Sequence, residues 1–243
     1  MSDPGRQPAG AGAPAAAATT EPLLSARAVT KSFGRTQALR GVDVSVLAGE
    51  VLAVMGPSGS GKSTLLHCLA GILRPDDGEV WFSAQRIDQL NETRRSELRR
   101  DRFGFVFQFG QLVPDLPVIE NVMLPLLLAG RRRSRARAQA TALLARLELD
   151  GLEHRWPGEL SGGQAQRVAV ARALVADPSV IFADEPTGSL DTLAGERVME
   201  LLTDCARERK ASIVVVTHEA RVAAYADREV VVRDGRIAAL VAP

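Results

Sequence analysis

The chain has 243 residues, of which 46% are hydrophobic and 24% charged, and its formal net charge is +1. That composition suits a globular protein with a substantial core, and it excludes recognition of nucleic acid or of an acidic substrate through a global positive field. The two cysteines, Cys68 and Cys205, are isolated in segments that read as helical. This is unlike a zinc cluster or a disulfide framework and suits a reducing cytosol.

Residues 1–22 are rich in Ala, Pro and Gly and contain no Leu, Ile, Val or Phe. They lack the apolar segment of a secretion signal and read as a disordered tail, leaving residues 23–243 as the folded domain. From residue 23 to 54, short apolar groups separated by Gly34, Gly41 and Gly49 suit strands joined by turns. Val51-Leu52-Ala53-Val54-Met55 is a continuous apolar strand entering a glycine-rich loop, and the spacing predicts a helix over 63–73, closed by Arg74 and Pro75.

A charged helix is expected over 93–102, then a strand over 103–107 with Gln108 at its end. Pro114, Pro117, Pro125 and a basic run in 131–137 introduce a helical region that continues to residue 149, so an inserted helical subdomain is expected over about 109–165. Residues 165–176 read as an amphipathic helix, 180–183 as a buried strand ending in Asp184 and Glu185, and 194–209 as a helix. A last apolar strand, 213–216, delivers Thr217 and His218. Such alternation predicts an α/β fold with a parallel sheet. No apolar run approaches the roughly 20 residues that span a bilayer. The nearest, 122–129, is short and contains Pro125, so the chain itself is expected to be soluble.

Gly56-Pro57-Ser58-Gly59-Ser60-Gly61-Lys62-Ser63-Thr64 matches the P-loop pattern between a buried strand and a helix N-terminus. Backbone N–H groups of such a loop curl around phosphate oxygens, Lys62 reaches the β/γ-phosphates, and Ser63 offers a hydroxyl to magnesium. The bland alternative, a glycine-rich turn, leaves the flanking strand and helix unexplained. Lysine occurs only at positions 31, 62 and 210, so a compact ammonium at 62 looks chosen by chemistry in an arginine-dominated chain.

Asp184 and Glu185 follow an apolar strand, where one carboxylate can hold magnesium through water while its neighbour polarises an attacking water. Their alternative is a capping or salt-bridging pair. Leu160-Ser161-Gly162-Gly163-Gln164 precedes a helix and makes a second anion-binding helix start, with a plain N-capped loop as the alternative. A second cradle needs a second phosphate, which a neighbouring subunit could supply.

This order of motifs resembles the ABC ATPase family over nearly the whole chain after the tail. The resemblance implies a P-loop NTPase core with a parallel sheet, an N-terminal antiparallel β subdomain and an inserted α-helical subdomain. By it, residues 56–64 correspond to the Walker A loop, Gln108 to the Q-loop, residues 160–164 to the family signature, and residues 180–185 to the Walker B strand. Ser189-Leu190-Asp191 resembles the D-loop, His218 the switch histidine, and Phe33 the aromatic that stacks on adenine.

The implied roles are ATP binding by residues 56–64 and Phe33, contact with the accompanying Mg2+ by Ser63, Gln108 and Asp184, and catalysis by Glu185, His218, Gln108 and Lys62. Ser161, Gly162, Gly163, Gln164 and Asp191 would act in trans on a second ATPase subunit, a copy of this chain before a different one. Phe105-Val106-Phe107-Gln108, Glu120-Asn121-Val122 and Ala183-Asp184-Glu185-Pro186-Thr187-Gly188 are similar to the macrolide-exporter, lipoprotein-release and FtsE branch. Departures are Phe33 for the usual tyrosine, Pro117 for threonine and Ser189 for asparagine.

The resemblance implies an ATPase that powers export or extraction through a separate, FtsX-like membrane permease, bound to the inner face of the cell membrane, with no nucleic-acid partner. FtsE-like signalling without cargo is the alternative. A P-loop kinase would leave residues 160–164 unexplained. His67 and Cys68 are expected to pack, His154 and Trp156 to sit in a loop packed on the inserted subdomain, and residues 131–137 to form a solvated helix face or to meet anionic headgroups.

Overall fold

Apolar runs of four or five residues bounded by turns form strands buried on both faces, and here four of them build the centre of the molecule. The structure is a computed structural model that describes residues 21–241, so most of the expected tail, residues 1–20, lies outside the described residues. Chain order begins β1 (Leu24–Phe33), β2 (Thr36–Val46), β3 (Val51–Met55), α1 (Lys62–Leu69), β4 (Asp77–Phe82), β5 (Gln85–Arg86) and α2 (Glu92–Arg102). It continues with β6 (Phe103–Val106), α3 (Val118–Leu128), α4 (Arg133–Arg146), a 3-10 turn (Pro157–Glu159) and α5 (Gly162–Leu174). The last third is β7 (Val180–Asp184), α6 (Thr192–Glu208), β8 (Ser212–Val216), α7 (Ala220–Ala223), β9 (Arg228–Arg233) and β10 (Arg236–Val241).

The strands form a six-stranded sheet in the order β10-β9-β3-β8-β7-β6 and a four-stranded sheet in the order β2-β1-β4-β5. Strands β9, β3, β8, β7 and β6 are parallel to their neighbours, and only β10 runs antiparallel at the edge. The smaller sheet is antiparallel throughout. Alternation along each central strand feeds two cores. Val51, Ala53, Ile181, Ala183, Ile213 and Val215 face helices α3, α5 and α6. Leu52, Val54, Phe182, Val214 and Val216 face α1 and the antiparallel sheet.

Register then places the chemistry. Val54 pairs with Val216, Val216 with Asp184, and Ala183 with Val106. The residues that follow these strands, the P-loop, Gln108, Glu185 and His218, therefore leave the sheet along one edge, at the carboxyl ends where open α/β sheets bind ligands.

Four details depart from the sequence expectation. Helix α1 ends at Leu69, not 73, because Gly71 takes φ 64°, with the Gly71 N–H donating to Cys68 O (3.1 Å) and the Ile72 N–H to His67 O (2.9 Å). These paired bonds close a helix whose next residue must be left-handed, a position that suits glycine. Helix α3 passes through Pro125 near its end, while the buried Asn121 one turn earlier binds the preceding loop: its Oδ1 accepts from Val113 N–H (2.8 Å) and its Nδ2 donates to Leu116 O (2.7 Å). The β4–β5 and β9–β10 hairpins have no counterpart in the sequence reading. Helix α5 starts at Gly162, runs across position 165, and packs on β6 and α6 as well as on α3.

Cys68 and Cys205 are buried, and burial pushes the Cys68 thiol up to about 12. His154 and Trp156 are exposed. Their loop is held to the start of α3 by backbone, through Val118 N–H to Arg155 O (2.9 Å) and Ile119 N–H to Glu153 O (3.0 Å).

Phe182 is fully buried, edge-on to Phe103 (5.1 Å between centroids) and stacked on Phe105 (5.7 Å). Phe182→Ala removes the hub between strand β7 and its neighbour β6, and urea unfolding should show a loss of about 3–5 kcal/mol. A loss under about 1 kcal/mol would contradict this packing.

Candidate functional site

The loop between β3 and α1 is shaped by close approach. Gly61 has φ 106°, and a Cβ there would lie 2.4 Å from Ala38 O on β2, so both conformation and space demand glycine. Ser60 O accepts from the Gly235 N–H (3.0 Å), and Gly235 O accepts from the Arg40 N–H (2.8 Å). The turn of the β9–β10 hairpin thus braces the loop against β2. Lys62 is buried, and its Nζ donates to Gly56 O and Pro57 O, both at 2.9 Å. An ammonium has three protons, so the loop's own carbonyls orient it and leave one for an incoming anion. The first turn of α1 carries no acidic residue to compete for that anion.

Opposite the loop, Ser63 Oγ donates to Asp184 Oδ1 (3.1 Å) across from β7. Glu185 follows Asp184 with φ 47°, its N–H donating to Val216 O (2.9 Å). Its Oε1 lies 2.8 Å from His218 Nδ1, while its Oε2 is buried and has no hydrogen-bond partner. A non-glycine residue in the left-handed region with one unsatisfied carboxylate oxygen is strain concentrated where β7 leaves the sheet. Ser63, Asp184 and Gln108 supply oxygen donors of the kind hard divalent cations take.

Ala38, Pro57, Ser58, Gly59, Gly61, Lys62, Ser63, Thr64, Gln108, Glu185 and His218 line one cleft of about 600 Å³. Ala38 escaped the sequence reading, because nothing in its neighbours marks an alanine on β2 as lining a site. Asp184 reaches this cleft through Ser63. Gly56 and Ser60 belong to the loop but do not line the cleft, and neither does Phe33. Phe33 sits at the end of β1, half exposed, with Lys31 Nζ 5.8 Å from its ring centroid.

The second glycine-rich loop lies elsewhere. Ser161, Gly162, Gly163, Gln164 and Asp191 line a separate depression of about 430 Å³ together with Glu148, Arg167 and Arg197. No residue lines both spaces. Ser161 caps α5 in a reciprocal box: its Oγ accepts from the Gln164 N–H (3.3 Å), and Gln164 Oε1 accepts from the Ser161 N–H (2.9 Å). The hydroxyl proton of Ser161 is not used by this box and stays available to an acceptor. Asp191 caps α6 through the Ala194 N–H (2.9 Å). Glu148, itself at φ 58°, receives Arg167 of α5 (3.1 Å) and Arg197 of α6, which fastens the two helices that carry these loops. Its carboxyl is held below the usual carboxylate range, first by the hydrogen bond from Arg197.

Comparison with known proteins shows the family. The family described as ABC transporter matches residues 39–188, more than half of the chain. The lipoprotein-releasing system ATP-binding protein LolD of Psychrobacter arcticus is 47% identical over 221 residues, covering 88% of this chain and 96% of that protein. LolD 2 of Rhodopirellula baltica is 44% identical over 218 residues, 86% of each chain. Among solved structures, the dimeric bacterial ABC transporter cassette MJ0796 superposes with a TM-score of 0.84 at 38% identity, covering 90% of this chain and 98% of that one. The same cassette in a dimeric post-hydrolysis state with ADP and Pi gives 0.83. The family match, the relatives and the fold point the same way: the chain belongs to the ABC transporter family as an ATP-binding, ATP-hydrolysing subunit.

Proposed function

We propose that two copies of this chain close head to tail around two ATP molecules, and that this cycle drives extraction of lipoproteins through a separate membrane permease. One observation carries the first half: the chain holds two phosphate-type cradles, and they line separate spaces. A single copy cannot bring Ser161 and Gly163 to the anion that Lys62 holds, whereas a second copy can. The dimeric cassettes of 38% identity support this reading.

Within one site, Lys62 and the loop amides hold the β/γ-phosphates, and Phe33 is assigned to the adenine despite standing outside the cleft lining. Mg2+ would be held by Ser63, Gln108 and Asp184, and when bound it neutralises phosphate charge. Glu185 takes the proton of the attacking water, and His218 keeps the carboxylate oriented through its 2.8 Å contact. The Ser161 hydroxyl and the N–H groups that open α5 in the partner copy bind the γ-phosphate, with Asp191 beside them. Loss of that phosphate on hydrolysis removes the bridge between copies and lets them part.

The permease has a place to act. A groove of about 400 Å³ beside Gln108 is lined by Ile72, Phe105, Phe107, Leu124, Pro125 and Leu128. Leu128 is 65% exposed, an apolar surface suited to a cytoplasmic segment of an FtsX-like permease. The helical insertion over about 109–165 then moves with the permease segment, and Gln108 is its hinge to the site. Among the described residues no helix is long and apolar enough to cross a membrane. The chain would therefore reach the inner face of the membrane through that partner. Lipoprotein as cargo follows the names of relatives such as the lipoprotein-releasing system ATP-binding proteins above, which favours transport over signalling.

Glu185→Gln should lower hydrolysis at least about a hundredfold while ATP binding persists, and it should trap an ATP-dependent dimer in size-exclusion chromatography. Near-normal turnover would remove Glu185 from the mechanism. Lys62→Ala and Ser161→Ala chains are each expected to be inactive alone, yet mixed they should regain part of the wild-type rate, since one of the two shared sites is intact in the mixed dimer. No recovery in a mixture that forms dimers would overturn the shared site.

A further inference from the structure

Residues 131–137 run from the α3–α4 connection into the first turns of α4 and hold five arginines, Arg131, Arg132, Arg133, Arg135 and Arg137, all exposed. Arg133 pairs with Glu120, and among the described residues the other four make no ion pair. The chain as a whole is nearly neutral, so this is a local concentration of charge. It also lies at an unfavourable end. The start of a helix is itself positive, and α4 has neither an acidic residue in its first turn nor a side-chain cap. Cations there repel the helix end and one another, and an external anion relieves both repulsions.

The surroundings say where that anion is. Leu128, three residues upstream, is exposed and lines the apolar groove, whose walls also carry Arg99, Arg100 and Arg172. Arg100, near the end of α2, and Leu128, just before the arginine run, line this one groove, and the Asp101 carboxyl is held below its usual range first by Arg100 and further by Arg102 and Arg131. Spacing argues against a single acidic helix as the occupant. Arg133 and Arg137 stand one turn apart along one flank of the exposed surface of α4, Arg135 lies along its other flank, and Arg131 and Arg132 precede the helix, while Ala136 and Ala140 take the buried stripe. Such a fan suits a diffuse layer of phosphates more than one complementary stripe.

We infer that this arginine face rests on the anionic headgroups of the bilayer beside the groove that receives the permease. The inference depends on the permease-docking reading above. It adds a second, permease-independent hold on the membrane, one that orients the groove toward its partner and is screened by salt.

The test uses the full chain without permease, sedimented with vesicles of phosphatidylcholine alone or with about a third phosphatidylglycerol. Wild type should bind only the anionic vesicles. The variant R131S/R132S/R135S/R137S should bind at least tenfold more weakly, since each close arginine contributes about fivefold. The corresponding four Arg→Lys changes should retain binding, and ATP-dependent dimerisation should be intact in both variants, which shows that they fold. Equal binding by the serine variant, or no binding by a wild-type chain that hydrolyses ATP, overturns the inference. So does a serine variant that keeps vesicle binding but loses the permease, because the patch would then contact protein. A wild-type chain that fails to bind magnesium nucleotide would instead sink the ATPase reading.

Discussion

The constraint on which the rest depends is the register of the buried parallel strands β3, β8 and β7. Their pairing through Val54, Val216 and Asp184 makes three sequence-distant loops end at one edge of one sheet. A slip of one residue would exchange the two faces, sending Val51, Ala53, Ile181 and Ile213 out of the helical core, so the register is fixed by burial on both sides. The hydrogen bonds seen at the site follow from this: Ser63 to Asp184 and Glu185 to His218 each join residues from different strand ends.

Much of this was legible in sequence because its signals are local. A continuous apolar run such as residues 213–216 needs no partner to be recognised as a doubly covered strand, and the spacing of Gly56, Gly61 and Lys62 is a covalent property of one loop. What escaped is non-local. The β9–β10 hairpin reads weakly, with Arg228, Glu229 and Arg233 diluting its apolar alternation, yet its Gly235 braces the P-loop through Ser60. Ala38 lines the cleft only because β2 crosses behind Gly61, a fact of packing that no neighbouring residue announces. Helix α1 ended early at Gly71, whose place in the apolar pattern hid its role as a stop.

On the proposed reading, one copy is an incomplete machine. Lys62 is already oriented by two carbonyls and Ser161 already sits in its capping box, so neither loop has to fold around its anion. Preorganised donors lose little freedom on binding, which leaves the energy of closure available to move attached parts. The Glu148 bridge to Arg167 and Arg197 keeps the loop before α5 and the loop before α6 together as that motion occurs. Under the proposed reading, the apolar groove is the place for a membrane protein and the arginine cluster next to it the place for the lipid around that protein.

The central claim is that each ATP is enclosed by two copies, and proximity measures it most directly. Cys68 and Cys205 are buried, so cysteines introduced as Ser58→Cys and Ser161→Cys are the accessible ones, and a short bifunctional maleimide reports their distance. With a non-hydrolysable ATP analogue and magnesium, the account predicts covalent dimers joined through positions 58 and 161, and few without nucleotide. Linkage within single chains, or no linkage in a sample shown to bind the analogue, would contradict it.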